Sequence, residues 1–262
     1  MTSTSRAVTD RRPRHGAPLF AGLLTLALLA VPAAGSGASA SAPPSAAASA
    51  SLVPVTCPNP HGGACLGPLV PGTHHTSEFW TPISYTVPGG WGNYEDLPGN
   101  FLLVPPGSSL DGVDAGTSDY IGIFLNAAVA AECEERPAIG VGTTADAMAA
   151  ALRDREGLVV TEPVPVEVGG LSGVMIDIDL DPGLAGGCFV PELSSRMWPL
   201  IIGNGPASLH HVQGPTWTTR LYLLDHGLTN IVIEVSDVYA SPGTLADYEP
   251  VIDALVFGGS GA

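Results

Sequence analysis

The sequence predicts an α+β domain, with a mainly antiparallel sheet packed against a few helices. Short strand-like runs follow one another across hairpin-sized turns, and only two segments show a clear helical pattern. Turn-forming residues are abundant, with 33 Gly and 25 Pro among 262 residues. Parallel strands would need a helix between them, and too few helices intervene.

The first half of the predicted domain contains three strands and the clearest helix of the chain. The strands cover residues 82–87, 101–104 and 120–125, and the first two end at Pro- and Gly-rich turns. The helix covers residues 144–156, with Thr143 in position to cap it and Gly157 to end it. Met148 and Leu152 lie on one face of this helix, which we expect to be buried.

The second half continues with hairpins and closes with a second helix. Further strands are predicted at residues 158–161, 164–168, 174–180, 200–202, 220–224 and 231–235. A helix follows at 245–254, where Pro250 is expected to bend or restart it, and the apolar segment 255–257 comes last.

The N-terminal region has the order of parts found in an export signal. Arg11, Arg12 and Arg14 precede an apolar run at 18–31, and Ala38-Ser39-Ala40 supplies small residues of the type that a signal peptidase accepts. We predict a signal peptide at 1–42, a flexible linker rich in Ala, Ser and Pro at 43–56, and one secreted domain at 57–262. The alternative is an uncleaved membrane anchor at 17–34.

The charge of the chain is strongly acidic outside this leader. Four of the nine basic residues and one of the 25 acidic residues precede Ser41, so five basic and 24 acidic residues remain, a formal charge of −19. Such a surface repels phosphate backbones and anionic lipids, so nucleic acid and membrane surfaces are not expected partners. Lysine is absent, which excludes Schiff-base and Ser-Lys mechanisms.

Four cysteines in an exported chain predict two disulfides. Among the three pairings, we prefer Cys57 with Cys65 across a short turn-rich loop, which leaves Cys133 with Cys188. A zinc site could instead recruit Cys57 and Cys65 with nearby histidines (His61, His74, His75), although their spacing matches no compact ligand pair.

Two clusters are candidate binding residues. Asp177, Asp179 and Asp181 alternate with apolar residues along one strand and could hold a hard cation such as calcium, or else act as solvated charges that deter sheet association. His210 and His211 precede Trp217 and Arg220 by a few residues, and the four side chains together could bind an anionic or aromatic ligand.

Four segments within roughly residues 79–257 form a pattern of apolar runs and turns: Ser84–Trp91, Val166–Leu171, the hairpin that begins at Tyr222–Asp225, and the closing Leu255-Val256-Phe257. This pattern resembles uncharacterised secreted bacterial domains and, more remotely, the PsbP/Mog1-like fold. The resemblance implies an α+β architecture and a role in binding or assembly. It assigns no functional residue to this chain.

These observations favour a non-enzymatic binding or interaction module, secreted or in the cell envelope, with an envelope or extracellular partner. No cofactor is predicted, while calcium or zinc is retained as an alternative. Two further hypotheses remain. One is a metal-assisted hydrolase that uses His210, His211 and a carboxylate such as Asp225; the other is a structural envelope domain that assembles through its sheet edges.

Overall fold

The computed structural model describes residues 66–131, 133, 136–183, 187–190, 195–203, 210–241 and 243–258. The predicted signal peptide at 1–42 and linker at 43–56 lie outside these residues. So do Cys57 and Cys65, and the side chain of His210.

Antiparallel strands dominate the described chain, and three α-helices accompany them. The helices are α1 (Leu110–Asp114), α2 (Ala145–Arg153) and α3 (Thr244–Asp253). The strands are β1 (Gly67–Pro68), β2 (Gly72–His75), β3 (Ile83–Val87), β4 (Gly92–Asp96), β5 (Asn100–Val104), β6 (Tyr120–Leu125), β7 (Ala127–Val129), β8 (Leu158–Val160), β9 (Val164–Val168), β10 (Leu171–Leu180), β11 (Cys188–Val190), β12 (Ser195–Gly203), β13 (His210–Gln213), β14 (Thr218–His226), β15 (Thr229–Asp237) and β16 (Val256–Phe257). The predicted α+β class is confirmed.

A nine-stranded antiparallel sheet forms the centre, in the order β1-β4-β5-β6-β15-β14-β10-β8, with β9 also paired to β10. Its longest hairpin joins β14 to β15 through Gly227-Leu228. Gly227 has a φ of 63°, a left-handed conformation that glycine adopts without strain. Because β15 is buried almost throughout, this hairpin lies at the middle of the fold.

Each face of the central sheet is covered by a different layer. One face packs against α3 and the small sheet β16-β3-β2, and we call it the α3 face. The other packs against α2 and the sheet formed by β7, β11, β12 and β13, and we call it the α2 face. Burial on both faces explains why the central strands read as nearly continuous apolar runs.

Helix α2 is shorter than the sequence predicts. Thr144, rather than Thr143, caps it by accepting a hydrogen bond from the backbone N–H of Ala147, and the helix ends at Arg153. Asp225 at the end of β14 adds a second acceptor, 2.9 Å from the N–H of Ala145. A tertiary carboxylate therefore supports this N-terminus, which a local capping rule cannot foresee.

Helix α3 runs through Pro250 instead of restarting there. Val251 and Ile252, the two residues that follow, are buried against the central sheet. The packing of this segment holds the helix across a residue that cannot donate the usual backbone hydrogen bond.

One of the two predicted disulfides falls within the described residues. Cys133 and Cys188 are bonded, with 5.2 Å between their Cα atoms, and they join the chain after β7 to β11. In the part of the chain described here, no helix is both long and apolar enough to cross a membrane.

Candidate functional site

Arg220 and Asp177, two of the residues selected from the sequence, face each other on the α3 face. They are direct cross-strand neighbours of β14 and β10. The guanidinium binds the carboxylate through two hydrogen bonds, Nε to Oδ1 at 2.7 Å and Nη2 to Oδ2 at 2.9 Å. A third hydrogen bond, from Nη1 to Oε1 of Glu249 at 2.8 Å, ties the pair to α3.

These contacts make Arg220 a fixed cation. The hydrogen bonds to Asp177 raise the pKa of Arg220 further above its usual range, despite the opposing effect of partial burial. A planar guanidinium held by a bidentate carboxylate loses little additional freedom when a ligand arrives. Arg220 therefore forms a pre-organised part of the surface.

The other two aspartates of the predicted calcium cluster have separate roles. Asp179 accepts a hydrogen bond of 2.6 Å from the hydroxyl of Thr218, and Asp181 accepts one of 2.8 Å from the N–H of Gly183 beyond the strand. The described residues include no group of three or more His, Cys, Asp or Glu side chains arranged to hold a metal ion. Each aspartate thus binds a different neighbour in this structure: Asp177 binds Arg220, Asp179 binds Thr218 and Asp181 binds Gly183.

An opening of about 270 Å³ lies between the end of the central sheet and the start of α3. We call it the Arg220 opening. Its wall contains Thr218, Arg220, Asp237, Ala240, Ser241, Gly243, Leu245 and Ala246. The volume accommodates a small molecule or one long side chain.

Asp237 is the most unusual group of this wall. Asp237 is only 2% exposed, and its Oδ1 atom accepts no hydrogen bond from any of the described residues. Three residues later, Ala240 has a φ of 47°, a left-handed conformation that is uncommon for alanine. A buried carboxylate oxygen without a donor is costly in a folded protein, so such a group is a candidate for ligand contact.

A second, more apolar opening of about 400 Å³ lies on the other side of α3. Trp91, Val87, Pro88 and Pro250 form much of its wall, and Asp247 adds a carboxylate. Trp91 also contacts Tyr248 of α3 edge to face, with 5.6 Å between ring centroids. Helix α3 is therefore flanked by two depressions of different polarity.

Trp217 and His211 do not join Arg220 at this site. Arg220 pairs with Val235 of β15, whereas His211 contacts Glu234, the adjacent residue, whose side chain points to the opposite face. Trp217 is buried with Met197 and Val238. The four residues grouped by sequence are thus not gathered in one pocket: Arg220 and His211 lie on different faces of the central sheet.

His211 belongs to a buried polar cluster on the α2 face. Its Nδ1 atom lies 2.6 Å from Oε2 of Glu234 and 3.0 Å from the hydroxyl of Tyr120. That hydroxyl donates a 2.7 Å hydrogen bond to Oε1 of Glu234, a side chain with no exposed surface. The pKa of Tyr120 is raised well above its usual value, mainly because the residue is buried and secondly because of the negative charge of Glu234.

Two buried hydroxyls beside this cluster have no hydrogen-bond partner in the part of the chain that the structure describes. They are Oγ1 of Thr219 and Oγ of Ser236, and these residues face each other across β14 and β15. Glu234 itself was detectable in the sequence as the only acid within the apolar run 231–235. A lone acid in an otherwise apolar central strand indicates a buried polar site.

Two further candidates, His74 and Asp225, lie within the described residues, whereas His61 lies outside them with Cys57 and Cys65. His74 lies on β2, where its Nε2 atom is 2.8 Å from the carbonyl oxygen of Val70 and its ring stacks on Tyr85. Asp225, the carboxylate named for the hydrolase, is at the N-terminus of α2. Asp225 lies four residues along β14 from Leu221, so their Cα atoms are about 13 Å apart. Leu221 is the cross-strand neighbour of Glu234, so Asp225 is also far from Glu234.

No protein-family model matches this sequence, and no curated protein is significantly similar to it. Among solved structures, the chain is similar to a protein from Bacteroides thetaiotaomicron, with 14% identity and a TM-score of 0.36 over 74% of this chain and 51% of that one. It therefore spans about half the length of the Bacteroides protein. It is also similar to the cyanobacterial PsbP of Synechocystis, with 11% identity and a TM-score of 0.34, over 74% of this chain and 98% of that one.

The similarity to a PsbP structure agrees with the remote resemblance seen in the sequence. Both TM-scores are below 0.5, so neither protein supplies a ligand, a partner or a functional residue for this chain.

Proposed function

We propose that this protein is a non-enzymatic binding module of the secreted or envelope compartment, and that it binds its ligand at the Arg220 opening. The observation that carries the proposal is Asp237, a residue of the wall whose buried Oδ1 has no hydrogen-bond partner among the described residues, beside a guanidinium already held in place. Pre-organised polar groups in a concave surface are typical of small-ligand sites. The Cys133–Cys188 disulfide supports an oxidising compartment, which agrees with the predicted export signal.

The test is a ligand screen by NMR on the purified domain with its disulfide intact. Small cationic, neutral and anionic compounds are added in turn, and we expect at least one class to shift the backbone amide signals of Ser241, Gly243 and Ala246. These three residues line the opening.

Two matched variants separate a site from a general surface effect. Ala246→Phe places a ring in the opening and should abolish the shifts. Ala150→Phe makes the same change at an exposed alanine of α2, on the other side of the sheet, and should leave them unchanged. Equal effects of the two variants, or no shift with any compound, would overturn the proposal.

A metal-assisted hydrolase remains the second candidate, because the structure gives His211 a carboxylate partner. That partner is Glu234 rather than Asp225. A carboxylate that orients an imidazole is a common feature of metal sites and of general bases. Metal analysis of protein prepared without a His tag tests this candidate: we expect no metal, whereas stoichiometric zinc or manganese that disappears in His211→Ala would favour the hydrolase.

A further inference from the structure

We propose that the Arg220 opening selects an organic cation, a primary ammonium or guanidinium group on an aliphatic chain. This inference rests on the proposed function, because it names the ligand class for the same opening. It follows from the balance of charge, from the hydrogen bonds already made in the wall, and from the lining.

The charge around the opening is negative even though Arg220 lies in its wall. Asp177 and Glu249 bind the guanidinium directly, Asp179 binds Thr218 of the wall, and Asp237 lines the opening. Two carboxylates thus bind the guanidinium, and two more lie in the wall or bind one of its residues. At such short range this excess attracts a cation and repels a carboxylate or phosphate.

The hydrogen bonds of the wall point to the same ligand. Nε, Nη1 and Nη2 of Arg220 each donate to a carboxylate, so the guanidinium is neutralised and poorly placed to bind an added anion. Asp237 lacks a hydrogen bond instead, because no described residue donates to its buried Oδ1. An ammonium or guanidinium brings several N–H donors and one positive charge, which satisfies both the hydrogen bond and the charge of Asp237.

The remaining lining suits the aliphatic part of such a ligand. Ala240, Leu245 and Ala246 present apolar groups beside the carboxylates. Lysine and arginine side chains, and simple alkylamines, bury their methylene groups against apolar surface while the charged end is hydrogen-bonded. An organic cation is favoured over a metal ion, because the described residues contain no three-ligand acidic or histidine cluster.

Binding is measured by calorimetry and by the amide shifts of Ser241 and Gly243. The cationic probes are n-butylammonium, cadaverine and the blocked tripeptide acetyl-Gly-Lys-Gly-amide. The controls are n-butanol and butyrate, which match the first probe in chain length but not in charge. We expect the three cations to bind, and their affinity to decrease as the salt concentration increases. Tighter binding of the tripeptide would identify a side chain of a partner as the source, and tighter binding of the free amines would identify a small metabolite.

The decisive variant is Asp237→Asn, which keeps the shape of the side chain and removes its charge. We expect it to weaken the binding of n-butylammonium tenfold or more. Glu156→Gln removes one charge from an exposed residue after α2 and should change the affinity less than twofold. An affinity in Asp237→Asn equal to that of the unmodified protein would overturn the inference.

A second pair of variants covers the case in which Asp237→Asn does not fold. Ser241→Lys places an ammonium at the wall of the opening and should block the cationic probes, whereas Ser172→Lys, the same change at an exposed residue of β10 outside that wall, should not. If butanol or butyrate binds at the opening as tightly as butylammonium, the ligand class is wrong while the binding function stands. If no probe of any charge binds there, both proposals fail.

Discussion

Removal of the Tyr120 hydroxyl tests the importance of the buried polar cluster. In Tyr120→Phe, Oε1 of Glu234 loses the 2.7 Å hydrogen bond that it accepts in the native protein. Glu234 has no exposed surface and Tyr120 is 5% exposed, so water cannot readily replace the lost donor. The ring remains, and the packing changes little.

The expected cost follows from the charge of the acceptor. A hydrogen bond to a charged group contributes about 1.5–3 kcal/mol to stability, and loss of a partner from a buried charge costs about 3–5 kcal/mol. Because His211 still contacts the other carboxylate oxygen, we expect a loss near the lower end, about 3 kcal/mol. For a domain of this size, that corresponds to a decrease in Tm of roughly 6–12 °C.

Urea unfolding at pH 7, with the disulfide intact, measures this loss as a shift of the midpoint at constant slope. Tyr239→Phe is the matched control, since Tyr239 is 66% exposed and its hydroxyl binds a carbonyl at the surface. We expect it to cost less than about 0.5 kcal/mol.

A double-mutant cycle with Glu234→Gln identifies the cause. With a neutral amide at position 234, the Tyr120→Phe change should cost only about 1 kcal/mol, the value of a neutral hydrogen bond. If Tyr120→Phe is as stable as the native protein, or if its cost is the same in both backgrounds, the buried charge is not the reason for the effect.

Three other predictions concern the disulfide, the centre of the fold and the alkaline limit. Replacement of Cys133 and Cys188 by Ser should lower the free energy of unfolding by about 4 kcal/mol, because the bond spans 55 residues; an unchanged urea midpoint would contradict this. Asn230→Ala removes buried hydrogen bonds to Ala127 and Thr143, so we expect the free energy of unfolding to fall by about 3 kcal/mol. The backbone amide of Ala127 should also exchange its hydrogen faster, and slow exchange would contradict the prediction. Burial raises the pKa of Tyr85 to about 12, above its value of about 10 in the unfolded chain. The contribution of this shift to stability is therefore complete below pH 10 and is lost as the pH rises towards 12. Tyr85→Phe should lose less stability over this range, and a pH profile identical to that of the native protein would refute the prediction.

Much of the central sheet could be predicted because its strands carry their own signals. β6, β9, β14 and β15 lie where apolar runs between turns place them. On β10, Ile176 and Ile178 are buried and Asp177 is partly exposed, as the alternation of apolar and acidic residues predicts. These features depend on neighbouring residues along the chain, and the sequence displays such features directly.

Other strands carry no such signal and form because a partner strand is already in place. β4 has the sequence Gly-Asn-Tyr-Glu-Asp and β2 has Gly-Thr-His-His, neither of which shows a regular apolar alternation. Both complete a ladder with the strand next to them in the chain, β5 and β3 respectively. Pairing with a neighbouring strand can override weak local propensity, which explains why these strands were not predicted.

The candidate site was also predictable from the sequence only in part. Arg220 and the aspartates of β10 were selected from their residue types, and the register of β10 against β14 then placed Asp177 opposite Arg220. The sequence grouped His211 with Arg220 because they are close along the chain. In the fold, the alternation of side chains across the sheet puts them on opposite faces.

By itself, the sequence determined the α+β class, the positions of the main strands, the excess of acidic charge and the chemical types of the candidate residues. These properties depend on composition and on short-range periodicity. Only the tertiary structure decided that Glu234 is the carboxylate beside His211, and that Asp237 is buried near Arg220 with no donor to its Oδ1 among the described residues. Both results depend on which strands pair, in which register, and on which layer covers each face, and these are long-range contacts that no local pattern encodes.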